Sequence, residues 1–348
     1  MFDINSIIRK NIRELVPYSS ARSEFSGSGA VLLDANENPF NRPYNRYPDP
    51  LQLELKKLIS ELKGPGTDNI FAGNGSDEAI DLLFRAFCEP VRDNVVIPDP
   101  TYGMYKVCAR INDVQVKSVL LNEDFSLDAK GIIDAVDPHT KLIFLCSPNN
   151  PTANSFAESD ITEILKYFNG LVVLDEAYID FAPHDGLLKK LEDYPNLVIL
   201  QTLSKAWGLA GIRLGLAFAD EAIIHVMNQI KYPYNVNSLT LSKAVQALES
   251  PAEHKMWINS ILSRKNVLSD NLSGFFFVKE IYPSDANFLL VRVDDADQIY
   301  DFLLQDNLIV RNRSKLPLCD NCIRISVGTE IENNMLIDRL NQYKSQKQ

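Results

Sequence analysis

The segment LVILQTLSKAWGLAGIRLG, residues 197–215, carries the reading of the fold. It opens on four apolar residues and runs into Thr202, Ser204 and Lys205, with Arg213 eight positions beyond the lysine. A short continuous apolar run suits a strand buried on both faces of a parallel sheet. A lysine just past the end of such a strand, flanked by hydroxyls, fits a Schiff-base role. The hydroxyls and the arginine would bind a phosphate while the amine condenses with an aldehyde. Taken alone, Ser204-Lys205 is a common dipeptide and reads equally well as a solvated loop.

Upstream, residues 171–178 read LVVLDEAY, an apolar strand that ends in Asp175 with Tyr178 three residues later. Open α/β sheets bind ligands at the carboxyl ends of their strands. An acid placed there can keep a pyridine nitrogen protonated, and a tyrosine can hydrogen-bond a phenolic oxygen; singly, Asp175 would also serve as a cap. Further strand-like runs at 95–97, 142–146 and 214–218 alternate with helical patterns. One helix is expected over 49–64, with Asp49 as cap, Pro50 in the first turn and Gly64 as stop. A second follows Gly73-Asn74-Gly75-Ser76, and others cover 157–168, 220–229 and 238–272. This alternation predicts an α/β fold, a mostly parallel sheet flanked by helices. In the last third the pattern changes, with strand-like runs at 275–278, 288–293, 308–310 and 323–327 interleaved with helices, which predicts a smaller α+β domain. The expected organisation is an N-terminal arm over 1–40 that packs with the small domain, a large domain over 41–240 and the small domain over 241–348. Within it, residues 18–46 are rich in Ser, Asn, Gly and Pro and read as irregular.

The 348 residues include 35 Lys+Arg against 46 Asp+Glu, a formal net charge of −11. With 45% hydrophobic and 23% charged residues the chain has a globular composition, which excludes global disorder. An acidic chain without a Lys/Arg cluster repels nucleic acid and anionic lipid, so neither is expected as a partner. Any anionic ligand must be met by a few placed cations. No apolar run approaches the roughly 18 residues of a membrane span, and the opening residues MFDINSIIRKNIREL lack the apolar core of a signal peptide. Five cysteines, odd in number and sparse, point to a reducing compartment and hence the cytoplasm. Cys319 and Cys322 have C-x-x-C spacing, but no second Cys or His pair completes a zinc site, so no metal is expected.

The set Asp175, Tyr178, Lys205 and Arg213, in that order and spacing, resembles the fold type I pyridoxal-phosphate aminotransferases, and the resemblance extends over nearly the whole chain. It implies pyridoxal 5'-phosphate as cofactor, with Lys205 as the catalytic lysine. Residues 147–152, SPNNPT, match the loop whose second asparagine, Asn150, reaches the cofactor's phenolic oxygen; Ala153 stands where the family usually has glycine, which implies less unusual backbone dihedrals there. Tyr102 matches the ring that stacks on the pyridine. Gly75-Ser76-Asp77 opens a helix where backbone N–H groups bind the cofactor phosphate, together with Thr202, Ser204 and Arg213. The side chains of Asp77 and Glu78 should then point away from that anion. A dinucleotide loop at Gly73-x-Gly75 is disfavoured, because the third glycine and the downstream ribose acid are missing.

Several segments narrow the resemblance to the histidinol-phosphate branch: Pro17-Tyr18, residues 36–39 (NENP), residues 46–49 (RYPD), residues 203–215 and residues 322–329 (CIRISVGT). It implies that Arg324 pairs with a substrate anion and that Arg311 recognises substrate, with the phosphate of histidinol phosphate as its partner. Tyr18 and Asn36 would line the same pocket. Tyr47 would reach the cofactor phosphate of a neighbouring subunit in a homodimer; Arg313 is unassigned. The implied substrates are histidinol phosphate and glutamate or 2-oxoglutarate. The cofactor residues alone also allow an aromatic amino-acid aminotransferase or a decarboxylase of phosphorylated amino acids. A cofactor-binding regulator without catalysis is disfavoured, since the chain shows neither an attached DNA-binding domain nor a basic stripe.

Overall fold

A computed structural model describes residues 3–18 and 31–347. Its larger sheet has seven strands: β1 (Ile70–Asn74), β2 (Asn94–Asp99), β3 (Gln115–Leu120), β4 (Thr140–Cys146), β5 (Leu171–Asp175), β6 (Leu197–Thr202) and β7 (Leu214–Ala219), in the order β1-β7-β6-β5-β4-β2-β3. Only β7 runs against the rest, pairing antiparallel with both β1 and β6. Every residue of β5, β6 and β7 is buried, as their unbroken apolar runs require once helices cover both faces.

The reversal of β7 positions the site. Its first residues lie where β1 and β6 end, with Leu214 opposite Asn74 and Gly215 opposite Thr202. Arg213, just before β7, is thereby delivered to the carboxyl edge of the sheet.

The helices of this part are α1 (Lys10–Arg13), α2 (Leu53–Lys63), α3 (Ser76–Phe87), α4 (Met104–Ile111), α5 (Ala129–Ala135), α6 (Glu158–Tyr167), α7 (Glu221–Ile230) and α8 (Ser238–Leu248). The long α9 (Pro251–Ser273) leads to a second sheet of β8 (Val278–Ile281), β9 (Phe288–Val293), β10 (Arg311–Asn312) and β11 (Cys322–Ser326), with α10 (Ala296–Leu304) and α11 (Glu330–Lys347) beside it. That sheet is wholly antiparallel, in the order β10-β11-β9-β8. The mostly parallel sheet and the smaller α+β unit are thus as the sequence implied.

Several boundaries differ. The helix expected over 49–64 begins at Leu53, because the Asp49 carboxylate accepts the N–H groups of Leu51 (2.8 Å) and Leu53 (2.7 Å) and closes a turn ahead of it. Pro50 therefore stays outside the helix, while Gly64, at φ +102°, does stop it. The helical pattern over 238–272 splits into α8 and α9 at Pro251, which has no N–H and drives Ser250 out of helical backbone. The strand expected at 275–278 starts only at Val278, since Phe275 and Phe277 turn into the small core. The run at 308–310 is not extended pairing; the ladder forms one residue later, at Arg311. The first part of the arm lies against the large sheet's helical layer, not the small domain. Ile7 is buried with Phe87, and Arg9 N–H donates to Ala86 O at 3.0 Å. The reason is an apolar stripe of Ile4, Ile7, Ile8 and Ile12 at helical spacing, which a neighbouring apolar helix end covers. Residues 19–30 of the arm lie outside the described residues.

Candidate active site

At the carboxyl edge of the large sheet a cleft of about 620 Å³ is walled on its far side by β10 and β11. Lys205, Asp175, Tyr178, Asn150, Tyr102 and Arg213 line it, as do Ser76, Asp77, Thr202, Ser204, Arg311 and Arg324. Strand ends explain the convergence: β5 ends on Asp175, β6 on Thr202 and β4 runs into the Asn150 loop.

Asp175 sits at the base of the cleft, buried, with Oδ2 accepting the Tyr105 hydroxyl at 2.6 Å and Oδ1 the Ala177 N–H at 3.0 Å. Burial pushes its carboxyl up to about 6, and the Tyr105 hydrogen bond opposes that rise. Tyr105 is a site residue that sequence reading missed; its spacing, three residues past Tyr102 on α4, was the available signal. Tyr102 donates its hydroxyl to Asp77 Oδ1 at 3.1 Å, and burial, then Asp77, raise its phenol above the ordinary value. Tyr178 is likewise raised, chiefly by burial.

The Lys205 amine lies 5.6 Å from the centre of the Tyr178 ring. Desolvation by the cleft walls, then Arg324, pull its pKa below that of an ordinary lysine, which moves it toward the neutral form a nucleophile and base requires. Thr202 Oγ1 accepts the Ser204 N–H at 3.1 Å and donates to Ser204 Oγ at 3.0 Å, fixing the turn that carries the lysine. Arg324 donates to Asn150 Oδ1 at 2.6 Å and lies over the Phe288 ring at 5.2 Å. Asn149, the first asparagine of the loop, is structural: it accepts the Thr101 hydroxyl at 2.7 Å and donates to Pro100 O at 2.9 Å, tying the Tyr102 segment to the Asn150 loop.

Two expectations are corrected. Glu78 does turn away, accepting from Asn74 N–H and from Asn235 at 3.0 Å. Asp77, however, faces the cleft, because Tyr102 and Arg213, 3.6 Å away, both give it a partner there. Ala153 keeps the left-handed backbone of a glycine, at φ +69°. Its N–H bonds Asn149 O and its carbonyl accepts the Asp285 N–H, each at 2.8 Å, and these hold the conformation in place of residue preference.

Tyr18, Asn36 and Tyr47 do not line the cleft of their own chain. Tyr18 is 77% exposed, Asn36 is exposed at φ +54°, and Tyr47 is half exposed with its ring stacked on Tyr234 at 4.4 Å.

The lining of the cleft fits a ring with a basic nitrogen near Asp175 and a phosphate near Arg213 and the start of α3. A Cβ on Gly75 would stand 2.7 Å from Arg213 Nη2, and one on Gly215 would stand 2.0 Å from Ser76 N, so bare backbone is required where α3 offers its first N–H groups. Asp175 provides the acid for the other end.

Comparison with known proteins agrees with this chemistry. The family model described as aminotransferase class I and II matches residues 28–340. A histidinol-phosphate aminotransferase of Parabacteroides distasonis is 54% identical over 344 residues, covering 99% of this chain and 100% of that protein. One from Bacteroides thetaiotaomicron is 53% identical over 345 residues, with 99% and 100% covered. Among solved structures, the histidinol-phosphate aminotransferase of Sinorhizobium meliloti, in complex with pyridoxal-5'-phosphate, superposes with a TM-score of 0.78 at 25% identity over 87% of this chain and 84% of that one.

Proposed function

The chain belongs to the histidinol-phosphate aminotransferases, within aminotransferase class I and II, and we propose that its cleft carries the amino group of L-histidinol phosphate to 2-oxoglutarate, reversibly, yielding imidazole-acetol phosphate and glutamate. Its cofactor is pyridoxal 5'-phosphate. The supporting observation is the convergence in one cleft of Lys205 and Asp175 with two guanidinium groups from the small sheet, those of Arg311 and Arg324. A transaminase that alternates between a phosphorylated amine and a dicarboxylic acid needs cations able to serve either anion.

When bound, the cofactor supplies an aldehyde carbon for Lys205 and a ring that takes up the electron pair left as the substrate carbon loses its proton. Lys205 would hold the cofactor and serve as the acid–base group that takes the proton from the substrate carbon and returns it on the other side of the transferred nitrogen. Asp175, paired with a cationic ring nitrogen, is drawn back to its ionised form and keeps that nitrogen protonated. Asn150 and Tyr178 hydrogen-bond the phenolic oxygen. Arg213, Thr202, Ser204 and the first N–H groups of α3, at Ser76 and Asp77, would hold the phosphate, and Tyr102 would cover the ring. Arg311 and Arg324 bind substrate anions.

The working unit in this reading is a homodimer. Tyr47, outside the lining of its own cleft, supplies a hydroxyl to the cofactor phosphate of the second copy, and Tyr18 and Asn36 belong to the substrate pocket. The five buried, unpaired cysteines and the acidic surface support a cytoplasmic enzyme acting on small molecules, without nucleic-acid or membrane partners.

The test is Lys205→Ala. It should abolish both transamination and the visible absorption of the lysine-bound cofactor; retention of both in purified protein overturns the assignment.

A further inference from the structure

Arg313 is a cleft cation that the reaction described above leaves without a task. β10 sets Arg311 directly opposite Arg324 on β11, and Arg313 continues the same line, its N–H bonded to Cys322 O at 2.8 Å. Residues two apart on a strand share a face, as do residues directly opposite on a neighbouring strand, so the three arginines rise together from one face of the small sheet. Like charges placed this way cost stability. In a chain of net charge −11 the cleft is nonetheless lined by five cations and two carboxylates. One of those carboxylates, Asp77, is taken up by Arg213 and Tyr102, and the other, Asp175, by Tyr105.

Arg313 is the least satisfied of the three. Its Nε is buried without a hydrogen-bond partner. Burial, then Arg324 and Arg311, bring its pKa down to about 10. Arg324 is already oriented by Asn150 and the Phe288 ring, so it cannot swing toward a second anion without losing both.

We propose that Arg313 is a specificity-determining residue that acts with Arg311 on the dianionic phosphate of the amino donor, while Arg324 is kept for a single carboxylate of the returning 2-oxo acid. The proposal rests on the function given above and names the residue that separates its two kinds of substrate. A phosphate carries close to two charges and three acceptor oxygens near neutral pH, which calls for two guanidinium forks, whereas one bidentate fork satisfies a carboxylate.

The experiment compares wild-type, Arg313→Gln and Arg313→Lys holoenzymes with histidinol phosphate and with phenylalanine as donors, and measures inhibition by inorganic phosphate. Losing one charge-assisted contact should raise the KM for histidinol phosphate and the inhibition constant for phosphate by about tenfold or more. The kcat for histidinol phosphate and all constants for phenylalanine should stay within about twofold, and Arg313→Lys should recover part of the phosphate inhibition. Unchanged KM and phosphate inhibition in Arg313→Gln would overturn the proposal. So would an equal loss for both donors, which marks a structural role. If the wild-type enzyme does not use histidinol phosphate, the functional reading fails, and the phosphate-inhibition arm still decides whether Arg313 binds the dianion.

Discussion

Asp175 shows how a single side chain depends on a neighbour that sequence order hides. Its burial favours the neutral acid, and Tyr105, fully buried itself, counters this with a 2.6 Å hydrogen bond. Tyr105→Phe should therefore move the Asp175 carboxyl further above 6 and weaken its hold on a protonated ring nitrogen. A charge-assisted hydrogen bond of this kind is worth about 1.5–3 kcal/mol, so cofactor affinity should fall at least about tenfold when apo-protein is titrated and followed by absorption; unchanged affinity would show that Tyr105 is only packing. The contrast with Lys205 is instructive. Lys205, Asp175 and Arg213 were legible because each adjoins a strand end in a recognisable order. Tyr105 was not, because its partner lies 70 positions away and only the packing of α4 over the sheet brings them together. Asp77 differs from expectation for a related reason: repulsion from phosphate argues for an outward side chain, whereas the Tyr102 and Arg213 contacts hold its carboxylate in the cleft.

Among the elements, β7 bears most on the cleft, because its reversed direction brings Arg213 and Gly215 beside the first turn of α3. Gly215 has no room for a side chain: its Cβ would lie 2.0 Å from Ser76 N and 2.3 Å from Gly75 C, both backbone atoms. Gly215→Ala should lower the urea midpoint and abolish cofactor retention together, with a loss on the order of 3 kcal/mol or more; normal retention would place the phosphate elsewhere. The turn after β5 makes a second prediction. Glu176 is buried, accepting the Leu187 N–H at 2.8 Å and Gln201 Nε2 at 3.0 Å, and burial raises its carboxyl to about 7 from an ordinary 4.5. Between those values the folded chain keeps a proton that the unfolded chain releases, so stability is fully present below about pH 4.5 and declines as pH rises through 7. Glu176→Gln should remove up to roughly 3 kcal/mol of that decline, read from denaturation midpoints at pH 5 and pH 8. A pH difference equal to wild type would contradict it. Element types were readable from apolar runs and helical spacing, whereas boundaries moved wherever local side-chain bonds competed. Asp49 captured the turn before α2, and Pro251 cut one helical pattern into two.

For the whole molecule, the large sheet lines one side of the cleft with Asp175 and Thr202 and the small sheet lines the other with Arg311 and Arg324. Tyr47, half exposed and outside the lining of its own chain's cleft, is the residue on which the proposed homodimer can be tested. Neither Lys205→Ala nor Tyr47→Ala homodimers should be fully active, but mixing the two lets one site of each mixed dimer combine an intact Lys205 with the other chain's intact Tyr47. Random reassortment should restore about a quarter of wild-type activity; no gain over the separate variants would mean that each chain works alone. The acidic surface remains compatible with phosphorylated substrates because positive charge is gathered at one edge of two sheets. The measurement that bears most directly on this account is the single half-reaction. Purified holoenzyme is mixed separately with histidinol phosphate, phenylalanine and tyrosine, and conversion of the cofactor to its amine form is followed by absorption. The account predicts the fastest conversion with histidinol phosphate, with release of imidazole-acetol phosphate. Faster conversion with phenylalanine or tyrosine, or loss of carbon dioxide from a phosphorylated amino acid in its place, would contradict it.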